Sequence, residues 1–196
     1  MIYESDFDRE DLFQSDIFEN IHFSCEDKSF NAILLTPVCD LVIQKGKSKP
    51  KATYLKFAGI VDFKPILQNI LSQLRISKYQ MAGKEYIDGE TYLNLLVLLR
   101  QLINGSIYPR YYYLPPLPNY YNHSLIDFQL VEVVKFTKDI KKELLTKKIS
   151  TVKSSWKESI PVRYSTYFSR VGVEDITDNI IDKISLDYKF NFNRIS

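Results

Sequence analysis

At 196 residues the chain suits one domain with a real core, and its 45% hydrophobic and 26% charged residues exclude general disorder. Six glycines against 14 tyrosines and 12 phenylalanines exclude collagen-like or linker composition and predict an aromatic core. The net charge of +2 hides an asymmetry, with nine acids against Arg9 alone in residues 1–27, 22 basic against 10 acidic side chains in 28–170, and three against five in 171–196. Such a pattern marks a basic face for an anion or an acidic arm folded back over it.

The opening MIYESDFDRE has neither the basic nor the apolar region of a secretory signal. A cytoplasmic chain with two free thiols is the expectation. Residues 1–15 read as an acidic mobile lead to one domain over 16–196, divided into strands at 16–62, a helical insertion at 63–105, strands at 106–136 and a helical part at 150–196. In the first strand Ile17, Glu19, Ile21 and Phe23 alternate with Phe18, Asn20 and His22.

NAILLTPVCDLVIQ and KATYLKFAGIVDF follow as a predicted hairpin joined by KGKSKP. Alternation along the first of them makes Cys39 a small buried hydrophobe. It also places Asp40 among aliphatics, where a carboxylate must accept backbone N–H bonds or pair with an arginine such as Arg110, Arg163 or Arg170. DFKPILQNILSQLRIS offers Pro65 in a first helical turn and Ile66, Leu67, Ile70, Leu71 and Leu74 at helical spacing. A second helix runs from about Gly89 to Asn104, with Gly105 as its stop. Its apolar run YLNLLVLLRQLI is shorter than the roughly 20 residues that cross a bilayer and carries Arg100, so no membrane span is expected.

SIYPRYYYLPPLPNYYNHSLIDFQLVEVVKF returns to strands around a proline-rich loop. TKDIKKELLTKK reads as a loop or short exposed helix, and SSWKESIPVRYSTYFSRVGV as a helix with a capping box at Ser155 and Glu158, divided by Pro161. The segment 171–196 reads as one more helix and a frayed or strand-like tail.

Three groupings bear on chemistry. His22, Cys25, Cys39 and His123 have the element count of a tetrahedral zinc site but lack paired spacing, so no metal is expected. No cofactor is expected either, because AGKEYIDGE is too short for a phosphate-binding glycine loop. Lys45, Lys47, Lys49 and Lys51, with Arg110 and the tyrosines at 108, 111, 112, 113, 120 and 121, have the composition of a single-strand nucleic-acid groove. Tyr112 and Tyr120 stand in it as candidate stacking rings.

SDIFENIHF followed by ILLTPVCDLVIQKGK resembles the opening strands of small SH3-like barrels of the MazF/PemK toxin type, with Ser15 where those barrels usually have glycine. Thr36 to Leu41, Tyr113 to Pro116 and Arg170 to Gly172 also resemble the Thr-x-x-Cys-Asp-Leu/Ile core, Tyr-Leu-Pro-Pro segment and Arg-Val-Gly turn of prokaryotic proteins from phage-defence and conflict loci. The resemblance implies an α+β chain on an SH3-like, partly open antiparallel barrel with an inserted helical pair and C-terminal helices. It implies a non-enzymatic binding module whose partner is a protein of the same system or a single-stranded nucleic acid. The alternative is a metal-independent ribonuclease, with Arg110 or Arg163 stabilising phosphate charge and His123 or Asp40 moving protons.

Overall fold

A computed structural model describes residues 2–4, 6–42, 50–73, 78–81, 84–87, 89–104 and 108–169. Among the described residues there are eight strands and six helices: β1 (Asp16–Phe23), β2 (Lys28–Leu34), α1 (Val38–Leu41), β3 (Tyr54–Asp62), α2 (Phe63–Gln73), β4 (Lys78–Met81), β5 (Lys84–Ile87), α3 (Gly89–Asn104), β6 (Tyr111–Leu114), β7 (Ser124–Lys135), α4 (Lys138–Lys147), β8 (Lys148–Thr151), α5 (Ser154–Lys157) and α6 (Ser159–Ser169). Six strands form one antiparallel sheet in the order β6-β7-β3-β2-β1-β8, curled into a half-barrel. β4 and β5 pair separately as a hairpin inside the insertion, a feature the sequence reading lacked.

Strand alternation gives the sheet two buried faces. Ile33, Ala58, Ile60, Tyr112, Leu114, Ile126 and Phe128 gather on one with Ile2, Tyr3, Val152 and Ile160. Phe18, Phe23, Ala32, Leu34, Leu55, Phe57 and Leu130 gather on the other with Leu12 and Leu144. Farther along the sheet, α2 and α3 pack Ile70 and Leu102 against Tyr111 and Leu125. Each large apolar side chain buried this way contributes about 1.5–3 kcal/mol.

Two irregularities depart from simple alternation. Asn20 takes a φ of 53°, and the β1–β2 register slips between Phe18↔Ala32 and Ile21↔Phe30. The extra residue puts Ile21 and Phe23 beside Phe18, not beside Ile17 as unbroken alternation predicts. In β7 the register jumps from Ala58↔Val131 to Gly59↔Asp127, leaving residues 128–130 bulged out of the ladder. Gly59 permits this: a Cβ there would lie 2.4 Å from Leu130 Cδ2 and 2.7 Å from its Cγ.

Residues of the acidic lead are part of the fold. Ile2 and Tyr3 are buried, and Tyr3 bridges Val152. Lys148 Nζ meets Asp16 Oδ2 at 2.7 Å with both side chains fully buried, and donates to the Asp11 carbonyl at 3.0 Å. Thr151 Oγ1 and the Phe13 N–H also donate to Asp16. Burial pushes the Asp16 carboxyl above its ordinary value, while these hydrogen bonds pull it down. Lys141 pairs with Asp11, so the acidic arm lies back on the basic α4–β8 segment. Ser15 has a φ of 70°, the left-handed region that glycine fills most easily.

In the second half, the segment open between a loop and a short exposed helix takes the helix. The stretch 138–147 is a helix because Thr137 Oγ1 accepts the Ile140 N–H at 3.2 Å, Asp139 sits in the first turn and Lys147 in the last. Leu144 anchors it to the core. β8 lies outside the expected elements, since a four-residue strand that begins with a lysine carries little pattern; Ile149 joins the core, and Lys148 is buried through the Asp16 pair. The N-cap of α5 is Lys153, which makes no side-chain cap bond, and Ser155, expected as the cap, falls inside the helix. Pro161 falls within the first turn of α6, which begins at Ser159. Gly105, Arg170 to Gly172 and the segment 171–196 lie outside the described residues.

Candidate functional site

The Cys39-Asp40 pair lies on a helical turn and not in a strand. Pro37 has no N–H for a ladder, and Thr36 Oγ1 takes the Lys56 N–H at 2.8 Å where a backbone carbonyl would otherwise stand. The chain then turns, with Val42 N–H bonded to the Val38 carbonyl at 3.2 Å. Leu41 is buried and Cys39 is exposed, contrary to the expected small buried hydrophobe. Asp40 pairs with Lys51 at 2.8 Å and not with an arginine, and that bond holds its carboxyl below the ordinary value. Lys51 is thereby committed to Asp40, while Lys45, Lys47 and Lys49 lie outside the described residues.

The tyrosine segment divides by alternation. Tyr112 is buried on the first face, its hydroxyl 2.6 Å from Ser159 Oγ, so it offers no exposed ring. Burial raises its pKa. Tyr120 is exposed, in the loop after β6. Tyr113 turns towards the insertion, edge-on to Phe63, and its hydroxyl meets His123 Nδ1 at 2.6 Å.

Arg110 precedes β6 and forms a two-pronged ion pair with Asp127, Nε to Oδ1 at 2.7 Å and one terminal nitrogen to Oδ2 at 2.5 Å. Asp127 is only 4% exposed and also accepts the Gln129 N–H at 2.9 Å, so one carboxylate fixes both the arginine and the β7 bulge. Hydrogen bonding to Asp127 raises the Arg110 pKa further, so the guanidinium stays charged. Its Cζ lies 5.0 Å from the centre of the Tyr111 ring. Arg110 lines a shallow cleft of about 270 Å³ with Ile66, Asn69, Ile70, Tyr108, Pro109, Tyr111 and Tyr167.

The structure does not assemble the expected ribonuclease groups. His123 and Arg110 flank opposite ends of the β6–β7 ladder, in which Leu114 faces Ser124 and Tyr111 faces Asp127. At ~3.3 Å per residue that ladder alone sets their backbones more than about 10 Å apart. Asp40 lies beyond the Tyr54 end of β3, and its carbonyl accepts the Ala52 N–H. His123 lies at the Asp62 end, where its carbonyl accepts the Phe63 N–H, so about 26 Å of strand separates the two. Arg163 reaches from α6 to the Asn104 carbonyl at the end of α3, at 2.5 Å. The same spread keeps Lys51, Arg110 and Tyr120 from forming one face.

Among the residues considered for zinc, His22 faces Asp27 at 3.8 Å near the β1–β2 turn that holds Cys25, and Cys39 and His123 sit on the separate elements described above. Among the described residues no group of three or more His, Cys, Asp or Glu could hold a metal ion. None of the described helices is long and apolar enough to cross a membrane.

The sequence reading passed over Asp127, Asn69, Tyr108 and Tyr167 as members of one cleft. The usable signal was Asp127 itself, the one carboxylate in the apolar run SLIDFQLV, which requires a cationic partner. No protein-family model, curated protein or solved structure matches the chain.

Proposed function

We propose that this chain is a non-enzymatic binding module of a prokaryotic defence or conflict system whose partner is a protein. The observation that carries the reading is the outer side of α3. Leu98 and Leu102 turn inward to the core, while Leu93, Val97 and Ile103 stand 62%, 49% and 42% exposed. Leu96 and Leu99 are half-buried between them at helical spacing. Arg100 is exposed on the same side, so the helix presents apolar anchors around one charge, a form that helix-and-groove recognition uses. The membership in a defence or conflict system rests on the resemblance at Thr36 to Leu41 and Tyr113 to Pro116. In this reading the half-barrel is an SH3-like barrel opened by its helical additions.

A protein is favoured over a nucleic acid gripped by its phosphates because Lys51 and Arg110 are neutralised by Asp40 and Asp127, and Tyr112 is buried. The test is co-purification from the native host, followed by reconstitution with the purified partner. Leu93→Asp with Val97→Asp should abolish the association while leaving the melting temperature near that of wild type. Co-elution of nucleic acid alone, or association unaffected by the double variant, overturns the reading.

A further inference from the structure

The cleft beside Arg110 is independent of the α3 stripe, and its chemistry is of a different kind. We infer that it is a binding site for a guanine base. A guanidinium carries five N–H donors in a fixed plane, and Asp127 occupies one edge through Nε and one terminal nitrogen. The outer edge, made by the two terminal nitrogens, has no partner among the described residues.

That edge is held in place. Asp127 is itself buried and locked by the Gln129 N–H, so Arg110 is oriented before any ligand arrives. Tyr108 and Tyr167 also line the cleft, both half-buried, and supply aromatic surface of the kind on which a base stacks. The Tyr167 hydroxyl accepts from Gln129 Nε2 at 2.5 Å, which ties this wall to the same bulge.

Charge decides between ligand classes. Asp127 already neutralises Arg110, so a phosphate or carboxylate in the cleft would meet a carboxylate across the guanidinium, and the site has little net attraction for an anion. A neutral ligand with two acceptors on one edge suffers no such repulsion. Guanine presents O6 and N7 in that arrangement, whereas adenine places a donor beside its N7. Asn69, exposed and lining the same cleft, is the residue whose amide oxygen would accept from the ring N–H and amino donors of guanine in this proposal. A volume of about 270 Å³ accommodates a base with its sugar directed outward.

The base could be presented by a free mononucleotide or by a single strand, and calorimetric titration of the full chain separates these sources. GMP, AMP, inorganic phosphate and short single-stranded RNAs with and without guanine are the probes. GMP is expected to bind at least about tenfold more tightly than AMP, the discrimination of one good bidentate pair. Binding by GMP identifies the mononucleotide as a sufficient source, and binding only by guanine-containing RNA identifies the strand. Arg110→Gln should remove the preference. Because that variant leaves Asp127 buried without its partner and could misfold, Asn69→Ala at the exposed rim serves as the second variant, with an expected loss of about threefold to tenfold. Equal binding of GMP and AMP, displacement of GMP by inorganic phosphate, or no binding of any probe at millimolar concentration overturns the inference.

Discussion

Asp40 and Asp16 each lie within 2.8 Å of a lysine ammonium, but in different surroundings. Lys51 is largely in water and the Asp40 side chain is about a quarter exposed, so solvent screens the pair. Asp16 and Lys148 have no exposure at all, and removing one partner strands a buried charge. Asp16→Ala is therefore expected to cost about 3–5 kcal/mol. At ~2–4 °C per kcal/mol for a chain of this size, the melting temperature should fall by roughly 10 °C. Asp40→Ala should melt close to wild type. Thermal unfolding of the two variants side by side checks the contrast, and equal losses would show that exposure does not set the weight of these pairs. The sequence could not make this distinction, because both aspartates stand beside apolar residues and only the fold decides which of them water reaches.

At the scale of elements, the β3–β7 pairing depends on a glycine. Residues 128–130 bulge from the ladder, and Leu130 folds back over the position where a Gly59 side chain would stand. Gly59→Ala would push a methyl group into Leu130 Cγ and Cδ2, an overpacking that costs about 1–3 kcal/mol. Leu130→Ala relieves the clash at the expense of its own burial. In a double-mutant cycle, Gly59→Ala is expected to destabilise less in the Leu130→Ala background than in wild type. Additive losses would mean that the bulge, and not the Leu130 contact, demands glycine. The bulge also places Asp127 opposite Gly59 at the end of the β6 pairing and so sets the geometry of Arg110. The cleft is thus a product of strand register, which periodicity within one strand does not report.

Across the whole molecule, the first residues close the half-barrel core. Tyr3 donates to the Pro115 carbonyl at 2.5 Å, and the Tyr121 hydroxyl donates to Tyr3 at 3.0 Å, joining the amino-terminal bridge to the loop after β6. Burial raises the Tyr3 pKa from 10.0 to about 12 and raises that of Tyr121 as well. Below pH 10 both phenols are neutral whether the chain is folded or not. Between pH 10 and 12 the unfolded chain releases its protons first, so stability should fall as pH rises, by about 1.4 kcal/mol per pH unit for each phenol. Urea unfolding from pH 9 to 12 measures the slope. Tyr3→Phe should flatten it, and an unchanged slope would show that Tyr3 does not carry the alkaline loss.

The parts of the fold whose causes are local are legible in the chain itself. Helical spacing from Ile66 to Ile70 and from Leu98 to Leu102 fixed the inserted helices, and alternation fixed the strands around Ile33, Phe57 and Ile126. Each of these elements repeats one geometry along its own length, so its pattern is legible without knowledge of a neighbour. Only the tertiary structure decided what depends on residues distant in the chain. Pro37 and Thr36 end a strand that the apolar run after them would continue, and Lys51 pairs with Asp40, eleven positions before it. Lys148 becomes a core residue because Asp16, from the acidic arm, is there to meet it. Arg110 finds Asp127 only through the pairing of β6 with a bulged β7. In each case the free energy of a charge or an unpaired N–H is set by the group placed beside it, and that placement belongs to the fold.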